Sequence, residues 1–400
     1  MNFILYDDIT EWKNLFPITF TRPISEIRLG LFTIKDRWEK IFGKKVSCII
    51  TQPFLIKKYS LLNNDNEYFK NVLLINSSFI PNEKLVSTIF SLKENEAIFF
   101  KEKIVAVKIN SFLYPKNGIK FLKKKYKKIY KFDKLIYIQY PWDIFINNEI
   151  ILKQDFLIAT KAKKSFSLLG YNNILYYKER IFLEENIIAN NIVLNAQFGP
   201  IYIEKNVEIM EGTVIKGPVF IGTKTILNMG TKIYGGTTIG PFCKVGGEIM
   251  NSILFSYSNK IHNGFIGNSV LGEWCNLGAG TNISNLRNDY CKVKVWNYEK
   301  KNYIPINVQF FGTIMGDHSK SAINTQFNTA TLVGVSSSIF GYGFPPKYIP
   351  SFSFGNIQKK KKIFFQKVCE TAEITMNRRN INFSILDRKI LEYLYELSDI

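Results

Sequence analysis

A neutral imidazole suits the task of taking a proton from a nucleophile near physiological pH. This chain of 400 residues carries only two, His262 and His318. Both fall in stretches rich in Gly, Asn and small residues, KIHNGFIGNSVLGEWCNLGAGTNISN at 260–285 and IMGDHSKSAINTQFNTATLVG at 314–334. Carboxylates with a plausible chemical use stand early: the Asp7/Asp8 pair after the first apolar run, and Asp143 in YPWDIF at 140–145. The five cysteines (Cys48, Cys243, Cys275, Cys291, Cys369) are scattered, odd in number and form no C-x-x-C pair. A disulfide framework or a zinc ribbon is therefore not expected.

The net charge of +20 comes from 53 basic against 33 acidic residues. Taken alone it points to a polyanionic partner such as nucleic acid or a membrane surface. Only 8 of the basic residues are Arg, while Lys, Ile, Asn, Phe and Tyr are inflated throughout. That bias follows from AT-rich codons, and dedicated phosphate surfaces lean on Arg forks. We read the charge as compositional drift and expect no specific nucleic-acid partner. MNFILYDD reads as a first strand, not a signal peptide. No run approaches the roughly 18 apolar residues of a transmembrane helix. The expected location is the cytoplasm.

The elements that must position these residues follow two patterns. From 1 to about 180, short β-rich runs (Phe3–Tyr6, Val46–Ile50, Val72–Ile75, Ala97–Phe99, Ile104–Lys108, Leu135–Ile138) alternate with helix-like stretches at Phe32–Phe42 and Lys84–Leu92. That predicts an α/β domain with a mostly parallel sheet. The Lys-rich run 121–131 reads as a solvated helix face. From Ile203, aliphatic residues recur every six positions through Ile209, Ile215, Ile221, Leu227, Ile233, Ile239 and Val245. Four residues after each stands a small or β-branched one, as at Val207, Thr213 and Thr225. Neither a helix nor a hairpin has that period; three hexads closing one triangular coil of a β-solenoid do. The repeat reads as disturbed at Asn251–Ile261 and interrupted by a protruding hairpin or loop at 286–310. A last coil is expected through Ile323, Thr329 and Val335. The tail steps through Phe364, Val368, Ala372 and Met376, an amphipathic helix packed on a neighbour. The expected division is 1–180, 181–355 and 356–400.

A left-handed hexapeptide solenoid with a loop His and a Gly-Ala-Gly-Thr turn resembles acyl-CoA-dependent acetyltransferases. Its intervals resemble the GlmU-like family of bifunctional sugar-1-phosphate uridylyltransferases and glucosamine-1-phosphate acetyltransferases. ILYDD, LFPITFTRPISEIRLG, LLINSSFIP and YPWDIF resemble the nucleotidyltransferase half of its Bacteroidetes-type subgroup. The resemblance implies His262 as catalytic base, Asn285 as its organising amide and Asn276 as a sugar contact. It places acetyl-CoA against Gly278, Ala279, Gly280, Thr281, Gly316, Asp317 and Val335. It also implies a homotrimer, and UDP-N-acetylglucosamine or a related nucleotide sugar as the product for envelope synthesis.

This sequence departs from the family pattern in both halves. The family's phosphate-binding Arg falls on Gly246, a substrate Lys on Met250, its Tyr on Phe265 and a second Lys on Cys291. Lys244, Lys260 and Lys292 are the candidate replacements, with Phe265 beside the acceptor. The Gly-rich phosphate loop is replaced by an acidic segment, Asp7 to Lys13, and Asn76 stands where the family binds Mg²⁺ with Asp. Lys13, Thr19, Arg22, Arg28 and Asn76 are the expected nucleotide and sugar-phosphate contacts, with Asp8 and Asp143 as metal carboxylates. Other readings stay open: either half acting alone, with the other inert or only assembling the oligomer, and a basic scaffold that binds RNA or membrane. His318 has no assigned counterpart and reads as structural, at a subunit interface.

Overall fold

A buried run of Phe3, Ile4 and Leu5 needs strand neighbours on both sides and side chains on both faces. The computed structural model, which describes residues 2–62, 67–114, 126–355 and 361–398, supplies both. Asn2–Tyr6 lies between Cys48–Ile50 and Tyr68–Asn76, parallel to each. Beyond Tyr68–Asn76 the order continues through Lys103–Leu113, Glu96–Phe100 and Lys127–Lys131. Lys103–Leu113 runs antiparallel to both its neighbours, so the sheet is mixed, not uniformly parallel. Two expectations fail here. The end of the Lys-rich run is an edge strand parallel to Glu96–Phe100, and residues 121–125 of that run lie outside the described residues. Leu135–Ile138 forms no strand; its one bridge is Tyr137 to Phe79.

Helix α1 (Ile9–Asn14) follows the first strand at once, capped by Asp8, whose carboxylate accepts from the Thr10 and Glu11 amides. Helices α2 (Ile34–Phe42), α3 (Pro53–Tyr59) and α4 (Glu83–Phe90) pack around the sheet. The long α5 (Pro141–Thr160) then bridges to the solenoid. Its buried Asn148 accepts from Gly30 N at 2.6 Å and donates to Gly236 O at 2.7 Å and Thr238 Oγ1 at 3.0 Å.

The solenoid has three parallel faces. A nine-stranded face runs from Ile181–Leu183 to Tyr348–Ile349, and an eight-stranded face from Ile188–Ala189 to Ser338–Ile339. A six-stranded face runs from Ile174–Tyr176 to Phe265–Gly267 and is continued by the pair Asn282–Ile283 and Gln326–Phe327. The hexad aliphatics from Ile203 to Val245 are buried in its interior, with their small companions beside them. The supposed disturbance at 251–261 is a complete coil with tightened corners. Ile221 pairs with Ile239, 18 residues on, but Ile239 pairs with Leu254 after 15 and Leu254 with Leu271 after 17. The last coil has a different phase from the one expected: Phe327, Val333 and Ile339 fill the interior, whereas Ile323 is 69% exposed.

The 286–310 insertion is an antiparallel hairpin, Lys294–Asn297 against Asn302–Pro305. It does not protrude freely. Val293 and Val295 are fully buried, and Trp296 stacks on Tyr348 at 4.2 Å. The tail forms two helices, α6 (Phe365–Asn377) and α7 (Ile385–Leu397), where one was expected. Val368, Ala372 and Met376 are buried as the four-residue step requires, but Phe364 is 83% exposed. The surface they cover belongs to the same chain: α7 lies on α3, with Tyr393 stacked on Phe54 at 4.2 Å. Core residues of the sheet domain, the nine-stranded face, the hairpin and both tail helices form one apolar cluster.

Candidate functional site

His262 sits at the corner where the eight-stranded face turns into the six-stranded one, in the turn between Asn259–Lys260 and Phe265–Gly267. Its side chain is exposed. The Gly278–Thr281 turn stacks directly on it, with Gly280 N donating to Asn263 O at 3.1 Å. The next coil continues the stack, as Asn324 N donates to Ala279 O at 2.7 Å. Close stacking requires glycine: a Cβ on Gly246 would lie 1.8 Å from Ile261 O, and one on Gly264, at φ +129°, 2.1 Å from Thr281 O. The corner is therefore a ridge of nearly bare backbone along which a thin, extended ligand can lie. An Arg at position 246 has no room.

The six-stranded face begins at this corner. Phe265 and Asn285 converge on it over Gly267, where a Cβ would meet the Asn285 amide nitrogen at 2.5 Å and the Phe265 ring at 2.7 Å. Asn285 Nδ2 donates to Asn268 Oδ1 at 2.8 Å, which fixes the amide. Asn282 Oδ1 accepts from Phe265 N at 2.9 Å. The register also puts Lys232 and Glu248 in the column of Phe265, two charged residues absent from the sequence reading. Counting by coils, not by motif, is the signal that finds them. His262, Phe265, Asn285 and the 278–281 turn are thus gathered on one corner and its adjoining face.

Other expected residues lie elsewhere. Lys244 and Asn276 belong to the eight-stranded face, in the column of Asn259. Asn259 accepts from Arg379, just past α6, at 2.8 Å. Lys292 is exposed at the base of the hairpin. Lys260 is not a surface cation: it is fully buried, and burial lowers its pKa to about 8. Its Nζ donates to His262 O and, at 3.0 Å, to Asn263 O.

Gly316, Asp317 and Val335 fall at the corner between the nine- and eight-stranded faces, beneath the sheet domain, and the structure does not bring them to His262. Val335 is fully buried. Asp317 Oδ2 accepts from Arg22 Nη2 and from Thr21 Oγ1, the latter at 2.7 Å, while Oδ1 accepts from Glu273 N at 2.9 Å. Asp317 and Arg22 are thus joined in a buried ion pair between domains, at the edge of a cavity that Asp317 helps to line. His318 is next to this pair. Its Nδ1 is buried with no partner among the described residues, and burial pushes its pKa down to about 3. It lines a cavity of about 230 Å³ with Lys58, Trp274 and Asp387. The Trp274 ring stacks near it from the preceding coil of the same chain.

The expected nucleotide residues are dispersed. Thr19 Oγ1 donates to Trp12 O at 2.6 Å, a purely internal bond. Arg28 Nη1 donates to Leu31 O at 2.8 Å and borders a cleft of about 450 Å³ with Lys40, Lys44, Glu184 and Glu204. Lys13 is exposed, next to Tyr140 and Trp296. Asn76 is buried where its strand ends, donating to Glu11 Oε2 at 2.9 Å. Glu11, from α1, is itself fully buried and accepts from Tyr137 OH at 2.5 Å. Lys103 Nζ lies 3.4 Å from Glu11 and 3.6 Å from Asp8. In open α/β sheets a ligand enters at the carboxyl ends of the parallel strands, and here α1 fills that edge with carboxylates.

The donor set for Mg²⁺ is equally spread out. Asp8 caps α1, and Asp143 Oδ2 accepts from Gln139 N and Tyr140 N at the start of α5. Burial raises the Asp143 pKa to about 6. Among the described residues no three His, Cys, Asp or Glu side chains gather as a metal group. These residues do not fit a prebuilt Mg²⁺ site.

Residues 3–164 match the family model described as sugar nucleotidyl transferase. The bifunctional protein GlmU of Methanocaldococcus jannaschii is 32% identical over 121 residues, 30% of this chain and 28% of that protein. A bifunctional sugar-1-phosphate nucleotidylyltransferase/acetyltransferase of Sulfurisphaera tokodaii is 29% identical over 144 residues, covering 36% and 35%. These two matches span about a third of each relative's length. A longer one, to the bifunctional protein GlmU of Methanococcus vannielii, is 26% identical over 308 residues, covering 72% of this chain and 64% of that protein. The sheet domain's model match and these relatives, one of them aligned along most of the chain, support a likeness to the GlmU-like family.

Proposed function

We propose that the chain is a transferase of sugar-nucleotide synthesis. Its solenoid transfers an acetyl group from acetyl-CoA to the amine of an amino-sugar-1-phosphate, and its sheet domain handles the nucleoside triphosphate and the sugar-1-phosphate. UDP-N-acetylglucosamine or a close relative is the product. The observation that carries the reading is the stacking of the His262 turn under the Gly278–Thr281 turn, beside the face where Phe265 and Asn285 converge. The attacking amine forms the N–C bond at the thioester carbonyl and gives up a proton, and the CoA thiolate leaves. The exposed imidazole of His262 receives that proton. The fixed Asn285 amide is placed to hold the acceptor sugar or the developing oxyanion. Lys232 supplies a cation for the acceptor phosphate.

The six-stranded face keeps an apolar strip exposed, with Ile174 at 48% and Tyr176 at 51%, which supports a homotrimer packed along the solenoid. No helix among the described residues is long and apolar enough to cross a membrane; we place the activity in the cytoplasm. Mg²⁺ enters with the triphosphate as substrate.

A second reading has its own observation. With α1 and Glu11 filling the edge of the sheet, the first domain serves as a support and the chain acetylates only. One paired assay over a panel of sugar-1-phosphates decides between the two. Both activities present, with acetyl transfer lost about 100-fold or more in His262→Ala and pyrophosphate release intact, supports the first. Acetyl transfer without pyrophosphate release supports the second. Full acetyl transfer in His262→Ala removes the solenoid corner from either.

A further inference from the structure

The interior column of the eight-stranded face reads Ile209, Leu227, Val245, Lys260 and then Leu277, an ammonium among aliphatics. Burying such a charge is costly unless its donors are used. Here they are: Lys260 Nζ donates to the backbone carbonyls of His262 and Asn263. The shortened coil explains the need. Corner carbonyls of a β-solenoid are ordinarily met by the amides of the next coil, as Asn263 O is by Gly280 N. Among the described residues the donor on His262 O is Lys260. The ammonium also packs against the far end of the same turn, where a Cβ on Gly264 would sit 3.2 Å from Nζ. A leucine at 260 would complete the apolar column and leave that carbonyl without a donor.

We propose that Lys260 is a positioning residue: its buried ammonium, bonded to the His262 and Asn263 carbonyls, holds the turn that presents the His262 imidazole to the acceptor amine. This rests on the reading of His262 as proton acceptor given above. The role differs from a phosphate contact, because the side chain points into the solenoid and away from any substrate.

The scarcity of histidine makes the test direct. The full-length protein with ¹³C-labelled histidine gives two ring resonances, assigned by His262→Gln. Lys260→Met should shift or broaden the His262 resonance while leaving that of His318 unmoved, which reports an intact fold. Acetyl transfer to glucosamine-1-phosphate should lose about 30-fold or more in kcat, with the acceptor KM changed less than about threefold. Lys260→Gln, which keeps one amide donor without charge, should fall between Met and wild type, and it stands in if the Met variant does not fold. Unchanged kcat with an unmoved His262 resonance overturns the proposal. Full activity in His262→Ala overturns the reading beneath it instead. In that case the His262 resonance alone decides whether Lys260 holds the turn.

Discussion

Asp7, just past the first strand, is fully buried, with Oδ2 accepting from Thr51 Oγ1 at 2.7 Å and Ile24 N at 3.2 Å. Its Oδ1 is buried beside the Ser77 hydroxyl. Burial raises its pKa to about 7 against these hydrogen bonds. The folded state then binds a proton that the unfolded chain has already released between about pH 4 and 7, so stability falls as pH rises through that window. Asp7→Asn should therefore stabilise the protein by on the order of 2 kcal/mol at about pH 8 and by progressively less toward pH 4. Thermal melts across that range check it; a pH-independent difference would mean the carboxyl is not held neutral. His262 was legible from its rarity and its intervals to Gly267, Gly272 and Gly278. The true direction of Lys260 was not. A lysine is read as a surface residue by default, and the shortened coil hid its interior register.

Helix α5 escaped the sequence reading for a different reason. Its buried residues include the polar Asn148 and Asp155 beside Trp142, Phe145 and Leu152, while the aliphatic Ile146, Ile150 and Leu157 stay exposed. With polar side chains on the covered face and aliphatic ones on the open face, the apolar period that betrays a helix is absent. What marks it is polar: Asn148 is anchored to Gly30 of the sheet domain and to Gly236 and Thr238 of the solenoid. Asn148→Ala strands a buried amide and a buried carbonyl, at about 1–3 kcal/mol each. We expect the variant to lose about 3 kcal/mol of stability and to become open to proteolysis near α5. Denaturant titration with limited proteolysis measures both. A loss below about 0.5 kcal/mol would mean that the anchor is solvated and dispensable. The hexads, by contrast, were readable over eight repeats because each coil sees the same interior, and they misled only where the corners tightened or the phase changed at Ile323.

The whole molecule is joined through a contact between residues 295 positions apart, Arg22 and Asp317. Their side chains are 4% and 6% exposed, and the guanidinium lies 4.9 Å over the Phe255 ring. The sequence reads both as ligand contacts, each beside a motif. No local pattern reveals that each exists to satisfy the other across domains. Together with one apolar cluster running from the sheet domain to the tail helices, this predicts that the chain unfolds in a single calorimetric transition. Arg22→Met keeps the apolar stem but leaves Asp317 buried without its cation, at a cost of about 3–5 kcal/mol, enough to uncouple the sheet domain and split the transition. Adding Asp317→Asn removes the stranded charge, so the double variant should regain part of that loss and be more stable than Arg22→Met alone. If the double variant is no better than the single one, the pair does not couple the domains and the apolar cluster alone joins them.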